Sequence, residues 1–217
     1  MKKIIIISLA VIVVLFVLRL SLKNNSPKLT NPIQPTDVPV PQNTPGKINP
    51  DIFQPPVDRA KERVTKKMFG TYVTPQNSPV QPERFRGFHT GVDYEIFPEE
   101  LDKEVSIKAV CNGKIMEKRF VSGYGGVMVQ SCLLNKQPIT VIYGHLKLKS
   151  INQWVNADLK TGEIVGILGK AYSSETNGER KHLHLAFHKG SQINLAGYVS
   201  SSSALSGWID PCLYVCE

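Results

Sequence analysis

Three of the chain's five histidines fall within seven positions, in the stretch "RKHLHLAFHK" at residues 180–189. On a strand the side-chain period is two. Leu183, Leu185 and Phe187 would then face one way and His182, His184 and His188 the other. The first set reads as core and the second as the wall of a cleft. Two imidazoles two residues apart on one face can share a site, one holding a metal while the other works beside it. The alternative is a solvated strand face that happens to carry histidine, and the rest of the chain has to decide. "GFHTGVDYE" adds His89 and Asp93 with three residues between them, and "VIYGHL" adds His145 at the end of an apolar run. Four histidines and one aspartate offer the nitrogen and carboxylate ligands that suit zinc. An open catalytic zinc site uses three protein ligands and leaves a position for water. Five candidate groups exceed that need by two, and the surplus fits proton transfer or charge stabilisation during attack on a peptide carbonyl. There is no H-E-x-x-H pattern, so imidazoles would have to do the work of its glutamate base. His188 is placed outside the site.

The elements that must position these residues are strands. From about residue 68, short β-type runs alternate with turn residues: "MFGTYV", "VSIKAV", "GKIMEKRF", "GVMVQSCLL", "PITVIYGHL", "EIVGILG" and "HLHLAF". No long amphipathic helix and no internal repeat of 20–50 residues is visible. Asn112-Gly113 is a strong two-residue hairpin signal, and "SGYGG" at 122–126 marks a second turn. The expected fold is mainly β: an antiparallel sheet domain with long loops over residues 62–217.

The segment ahead of that domain differs in composition. Residues 1–23 carry four positive charges and no acids, and "MKK" precedes a run of 15 residues from Ile4 to Leu18 that is apolar except for Ser8. A spanning helix needs roughly 20 residues, with a lower limit near 17. Residues 4–22 reach that length if Arg19 snorkels to the headgroups. No A-x-A-like cleavage site and no lipidatable cysteine follow the run. Residues 1–23 are therefore read as an uncleaved signal anchor, with the C-terminal part outside the cytoplasm. Residues 24–61 are read as a Pro-rich, extended linker holding the domain off the membrane, with nine of the 15 prolines before residue 58 and a short charged helix expected over 58–67. The net charge of +8 belongs to this N-terminal region, because residues 81–217 carry 15 positive and 14 negative groups. A basic nucleic-acid groove on the domain loses support, and no nucleic-acid partner is expected.

The four cysteines, at 111, 132, 212 and 216, do not match the spacing of a zinc ribbon or finger. In an exported domain they read as disulfides. If the Asn-Gly turn and the next hairpin form a meander, Cys111 and Cys132 arrive at one end of the sheet, leaving Cys212 to pair with Cys216. Reduced, buried cysteines are the alternative.

Three separated motifs, "FHTGVDYE", an isolated "YGHL" and "HLHLAF", resemble the M23 family of zinc metallopeptidases, the lysostaphin-like and LytM-like peptidoglycan endopeptidases. "AVCNGKIMEKRFVSGYGGVMVQ" is similar to the family's hairpin of Gly-rich turns, and "IDPCLYV" to the Asp-Pro segment that closes the domain. The resemblance covers about residues 68–215. It departs from the family in the cysteines and in the linker to "KHLH", which lacks the usual Ser-x-Gly-Pro. It implies that His89, Asp93 and His184 bind one zinc ion, and that His145 and His182 polarise the attacking water and stabilise the oxyanion or protonate the leaving amine. It further implies an endopeptidase acting on stem peptides or cross-bridges of peptidoglycan, which the N-terminal run would anchor to the membrane and which is expected to be a monomer. Two rivals stand beside this: a non-enzymatic member of the same fold that binds and activates a wall amidase, and a Cys-His hydrolase using Cys111 or Cys132.

Overall fold

The computed structural model describes residues 53–217. The signal anchor expected at 1–23, and the linker over 24–52, lie outside the described residues. Among the described residues no helix is long and apolar enough to cross a membrane.

The alternating runs become twelve short strands: β1 (Tyr72–Val73), β2 (Gly87–His89), β3 (Val92–Glu95), β4 (Ser106–Lys108), β5 (Gly113–Val121), β6 (Gly125–Leu134), β7 (Gln137–Leu146), β8 (Asp158–Leu159), β9 (Ile164–Ile167), β10 (His182–Lys189), β11 (Tyr198–Val199) and β12 (Trp208–Ile209). The central sheet runs β12-β10-β7-β6-β5-β8, and β3 adds to the free half of β10. Two small sheets, β1-β2-β11 and β4-β9, flank it. The pairings between strands are antiparallel. The described helices are one turn each: α1 (Ala60–Arg63), α2 (Ser202–Leu205) and α3 (Cys212–Val215). The charged helix expected over 58–67 is present only as α1.

Period-two alternation puts the core on one face of the central sheet. Leu183, Leu185 and Phe187 of β10 join Met128 of β6, Val141 and Tyr143 of β7 and Val92 and Tyr94 of β3 in one apolar cluster. Each such fully buried side chain contributes roughly 1.5–3 kcal/mol. The opposite face carries a smaller cluster, with Val127, Val129, Ile142, Ala186 and Trp208. The histidines sit at one end of that second face.

Two expectations need correction. Residues up to 61 were expected to be linker, yet Phe53 packs against Phe187 and Tyr214, with ring centroids 5.7 and 5.8 Å away. The Gln54 N–H also donates to the Val110 carbonyl at 2.9 Å. The packed structure therefore starts ahead of residue 62, because a single aromatic in a proline-rich stretch found an apolar slot. Asn112-Gly113, in turn, does not join a two-residue hairpin: β4 pairs with β9, and β5 with β6 and β8. Gly113 instead opens β5 pressed against β6. A Cβ there would stand 1.7 Å from the Ser131 carbonyl oxygen, so the glycine serves close backbone approach rather than a turn. That approach still brings Cys111 to Cys132, and the two are disulfide-bonded with Cα atoms 6.1 Å apart. Cys212 and Cys216 form the second disulfide.

Candidate active site

β3 and β10 run side by side, with His184 opposite Asp93 and His182 opposite Glu95. The register therefore fixes which side chains meet. His89 arrives from the end of β2, three residues before β3 begins. Gly91 in the intervening turn lets β3 close on β10: a Cβ at that position would lie 2.3 Å from the Leu185 carbonyl oxygen. The result is three converging atoms. His89 Nε2 lies 2.9 Å from His184 Nδ1 and 3.3 Å from Asp93 Oδ1, and His184 Nδ1 lies 3.1 Å from the same oxygen. All three residues are buried.

His145 reaches the same place by a local irregularity. Tyr143 and Leu146 both belong to the core cluster, although three residues apart on a strand they should face opposite ways. The register explains it: Met128 opposes Tyr143 but Gly126 opposes Leu146, so β7 carries one extra residue. In this β-bulge His145 takes a left-handed φ of 62°, which is costly for a non-glycine residue and is found at functional positions. The bulge turns His145 onto the histidine face, where its ring centroid lies 4.2 Å from that of His182. Gly144 makes room, since a Cβ there would meet the Tyr124 ring at 2.5 Å. His188 stands apart from these four, edge-on to Trp208 and 3.4 Å from Asn194 Nδ2.

The surroundings assign the ring protons. His89 Nδ1 faces the Met68 carbonyl at 3.2 Å, so in the neutral ring the proton sits there and Nε2 keeps its lone pair. Burial lowers the pKa of His184 to about 4, and its Nε2 lies 3.4 Å from the Tyr124 hydroxyl. Its Nδ1 faces Asp93 Oδ1 at 3.1 Å, so the ring proton lies between them until a cation takes its place. For Asp93, burial pushes the carboxyl up, but His182, His89 and Arg180 more than offset it and hold it well below its ordinary value. Two imidazole nitrogens and an anionic oxygen thus converge, an arrangement that a cation would satisfy by displacing the proton between them. Tetrahedral ligands about 2.0–2.1 Å from a zinc ion stand about 3.3 Å apart, and the observed separations come within a few tenths of an ångström of that. The residues fit a metal. Beside it, His182 has an acceptor at each ring nitrogen: the Arg180 carbonyl 3.0 Å from Nδ1 and Asp93 Oδ2 3.3 Å from Nε2. His145 is held neutral, chiefly by burial and then by the neighbouring His182. Its Nδ1 is buried and has no hydrogen-bond partner. These groups open onto a cleft of about 310 Å³ that also exposes Lys67, Phe85, Arg86, Tyr124, Arg180 and Tyr198.

The family model described as Peptidase family M23 matches residues 87–195, half of the chain. That window contains His89, Asp93, His145, His182 and His184. The chain belongs to peptidase family M23. The family is typically metal-dependent, and this M23 chain carries the His-Asp-His group described above. No curated protein matches it. Among solved structures, the catalytic domain of the antimicrobial peptidase lysostaphin from Staphylococcus simulans is 22% identical, with 68% of this chain and 87% of that one covered and a TM-score of 0.45. LytU is 23% identical, covering 68% and 82%, with a TM-score of 0.44. CbpA from L. salivarius REN is 19% identical, covering 76% and 95%, with a TM-score of 0.49.

Three further residues, Tyr124, Glu95 and Arg180, carry no motif of their own and border the site. Tyr124 contacts both His184 and His145, with ring centroids 5.2 and 5.7 Å away. Glu95 lies on the same face of β3 as Asp93, and Arg180 stands just ahead of β10, two residues before His182. The alternation D-x-E puts Glu95 on the face of Asp93, but only the tertiary contacts bring Arg180 to both carboxylates.

Proposed function

We propose that the protein is a zinc-dependent endopeptidase that hydrolyses peptide bonds in the stem peptides or cross-bridges of peptidoglycan. The observation that carries the reading is the convergence of His89 Nε2, Asp93 Oδ1 and His184 Nδ1 to within 2.9–3.3 Å beside the His145–His182 pair. His89, Asp93 and His184 would hold the ion. Zinc in such a site lowers the pKa of water and polarises a carbonyl oxygen. The rest falls to side chains. His182, with acceptors at both ring nitrogens, is suited to take up a proton at Nε2 and pass it to the departing amine. His145, kept neutral by burial, is placed to hydrogen-bond the carbonyl oxygen as charge develops on it, a contribution preorganised by the bulge. The walls of the cleft keep bulk water from these groups and strengthen their electrostatics.

The setting is part of the same proposal. The apolar run at 4–18 behind two lysines would anchor the chain in a membrane as a single span, and the proline-rich stretch would give the domain reach toward the wall. Two disulfides suit an extracytoplasmic, oxidising compartment. The protein would act as a monomer on peptidoglycan, without nucleic acid.

Digestion of purified sacculi by the full chain tests the reading. New free amino groups, identified by product mass, should appear, should vanish with a chelator and should return with added zinc. Insensitivity to a thiol alkylator is expected alongside. Wall binding without cleavage in the presence of zinc would contradict the proposal.

A further inference from the structure

Asp93 turns one oxygen, Oδ1, to His89 and His184. The other, Oδ2, lies 3.3 Å from His182 Nε2 and accepts a hydrogen bond from Arg180 Nη2 at 2.8 Å. Arg180 is itself clamped: its Nε donates to both oxygens of Glu95 at 3.0 Å, and Nη2 makes a further short contact with Glu95 Oε1. All three side chains are about nine-tenths buried or more. The strand register builds this arrangement. Asp93 and Glu95 are two apart on β3, and His184 and His182 lie opposite them on β10. Arg180 stands two residues before His182, just ahead of β10, and reaches back across Glu95 to Asp93.

We propose that Arg180 is a positioning residue for the metal centre: braced by Glu95, it holds Asp93 so that Oδ1 alone is presented to the ion. This rests on the zinc-peptidase reading. A carboxylate can ligate through one oxygen or two, and a charge-assisted hydrogen bond to Oδ2 removes the second from competition. It also fixes the plane of the carboxylate, as partners behind metal ligands commonly do. Charge points the same way. Without Arg180, two buried carboxylates would face the site, with only the half-exposed Lys66, 3.4 Å from Glu95 Oε2, to balance Glu95. Lysine would be a poor replacement, because one ammonium does not reproduce the planar fork that engages both carboxylates at once.

The test compares the full chain with Arg180→Met, Arg180→Lys and the charge-balanced double variant Glu95→Gln/Arg180→Met. Two quantities are read: zinc affinity by competition with a chelator, and the visible absorption of the cobalt-substituted protein, which reports coordination number. Arg180→Met should bind zinc about 10–100-fold more weakly and show the weaker cobalt bands of a higher coordination number. The double variant should keep that altered spectrum while folding with a balanced charge, so it decides the matter if Arg180→Met does not fold. Arg180→Lys should recover part of the affinity but not the native spectrum. A native cobalt spectrum in the folded variants would overturn the proposal, whether or not affinity falls, since Arg180 would then be a structural support only. Failure of the unmodified chain to bind zinc would instead sink the zinc reading, and this proposal with it.

Discussion

At the scale of single residues, ligands and catalysts should separate experimentally. Replacing His89, Asp93 or His184 by Ala removes one of three converging donors, and should lower zinc content and abolish hydrolysis. His145→Ala and His182→Ala should retain zinc and lose about 10²–10⁴-fold in rate, the usual worth of an acid or base. Metal analysis beside kinetics on each variant checks this, and loss of metal from His182→Ala would mean that ligand and catalyst had been exchanged. Four of the five residues stood out by spacing alone, as an i, i+4 His/Asp pair and an H-x-H alternation, whereas His145 is an isolated histidine at the end of an apolar run. Tyr124, Glu95 and Arg180 were not singled out, because a tyrosine in a glycine turn or a charge on a strand looks like ordinary surface. Their roles come from tertiary contacts such as the 3.4 Å approach of the Tyr124 hydroxyl to His184.

At the scale of elements, the bulge in β7 and the loop before β2 do the positioning. Gly144→Ala would drive a methyl group into the buried Tyr124 ring, 2.5 Å away. Overpacking of this kind costs about 1–3 kcal/mol, so the melting temperature should fall and the rate with it, as Tyr124 and His145 shift. A variant as stable and as active as the native protein would show that the bulge tolerates a side chain. The loop before β2 is tied down by a buried ion pair, Lys67 with Glu83. Glu83 also accepts the Ser78 hydroxyl at 2.8 Å and the Phe85 N–H at 2.9 Å, and Lys67 Nζ donates to the Tyr198 hydroxyl at 2.9 Å. Burial pushes the Glu83 carboxyl up, but Lys67, the Phe85 N–H and Ser78 more than offset it and lower it below 4.5. The unfolded chain therefore binds this proton first. The pair's stabilisation is present above about pH 4.5 and is lost as pH falls through the lower folded value. Lys67→Met should destabilise the protein by roughly 3–5 kcal/mol and flatten the acid side of its stability–pH curve. An unchanged acid slope in that variant would remove the pair from the account. The strands themselves were legible as alternating runs, but their partners were not: Asn112-Gly113 carries a turn signature, and only the packing of β5 on β6 shows that its glycine serves close approach. The bulge had no signal of its own, since "YGHL" reads as uninterrupted strand.

At the scale of the whole molecule, the fold's task is to bring residues 89–93 and 182–184 together across about ninety positions of sequence, and to keep them there. Both disulfides were legible, the first from its cysteines' arrival at one sheet end, though the meander assumed for it is not the route the chain takes. The bridge Cys111–Cys132 joins residues 21 apart, worth roughly 3 kcal/mol in the chain-entropy model, against a typical domain stability of about 5–15 kcal/mol. It sits by a buried network in which Tyr143 donates to Gln130 at 2.7 Å and Gln130 to the Cys111 carbonyl at 2.9 Å. Replacing both cysteines by Ala should lower the melting temperature clearly while zinc binding and hydrolysis survive, because neither sulfur belongs to the site. Loss of zinc in that variant would tie the bridge to the metal centre. The account stands or falls on the ion that the three donors would share. Anomalous diffraction at the zinc edge, from crystals of the zinc-loaded protein, locates it directly. One peak is predicted about 2.0–2.2 Å from His89 Nε2, Asp93 Oδ1 and His184 Nδ1, with His145 and His182 outside bonding distance. No peak there, or one ligated by His145 or His182, would contradict the assignment.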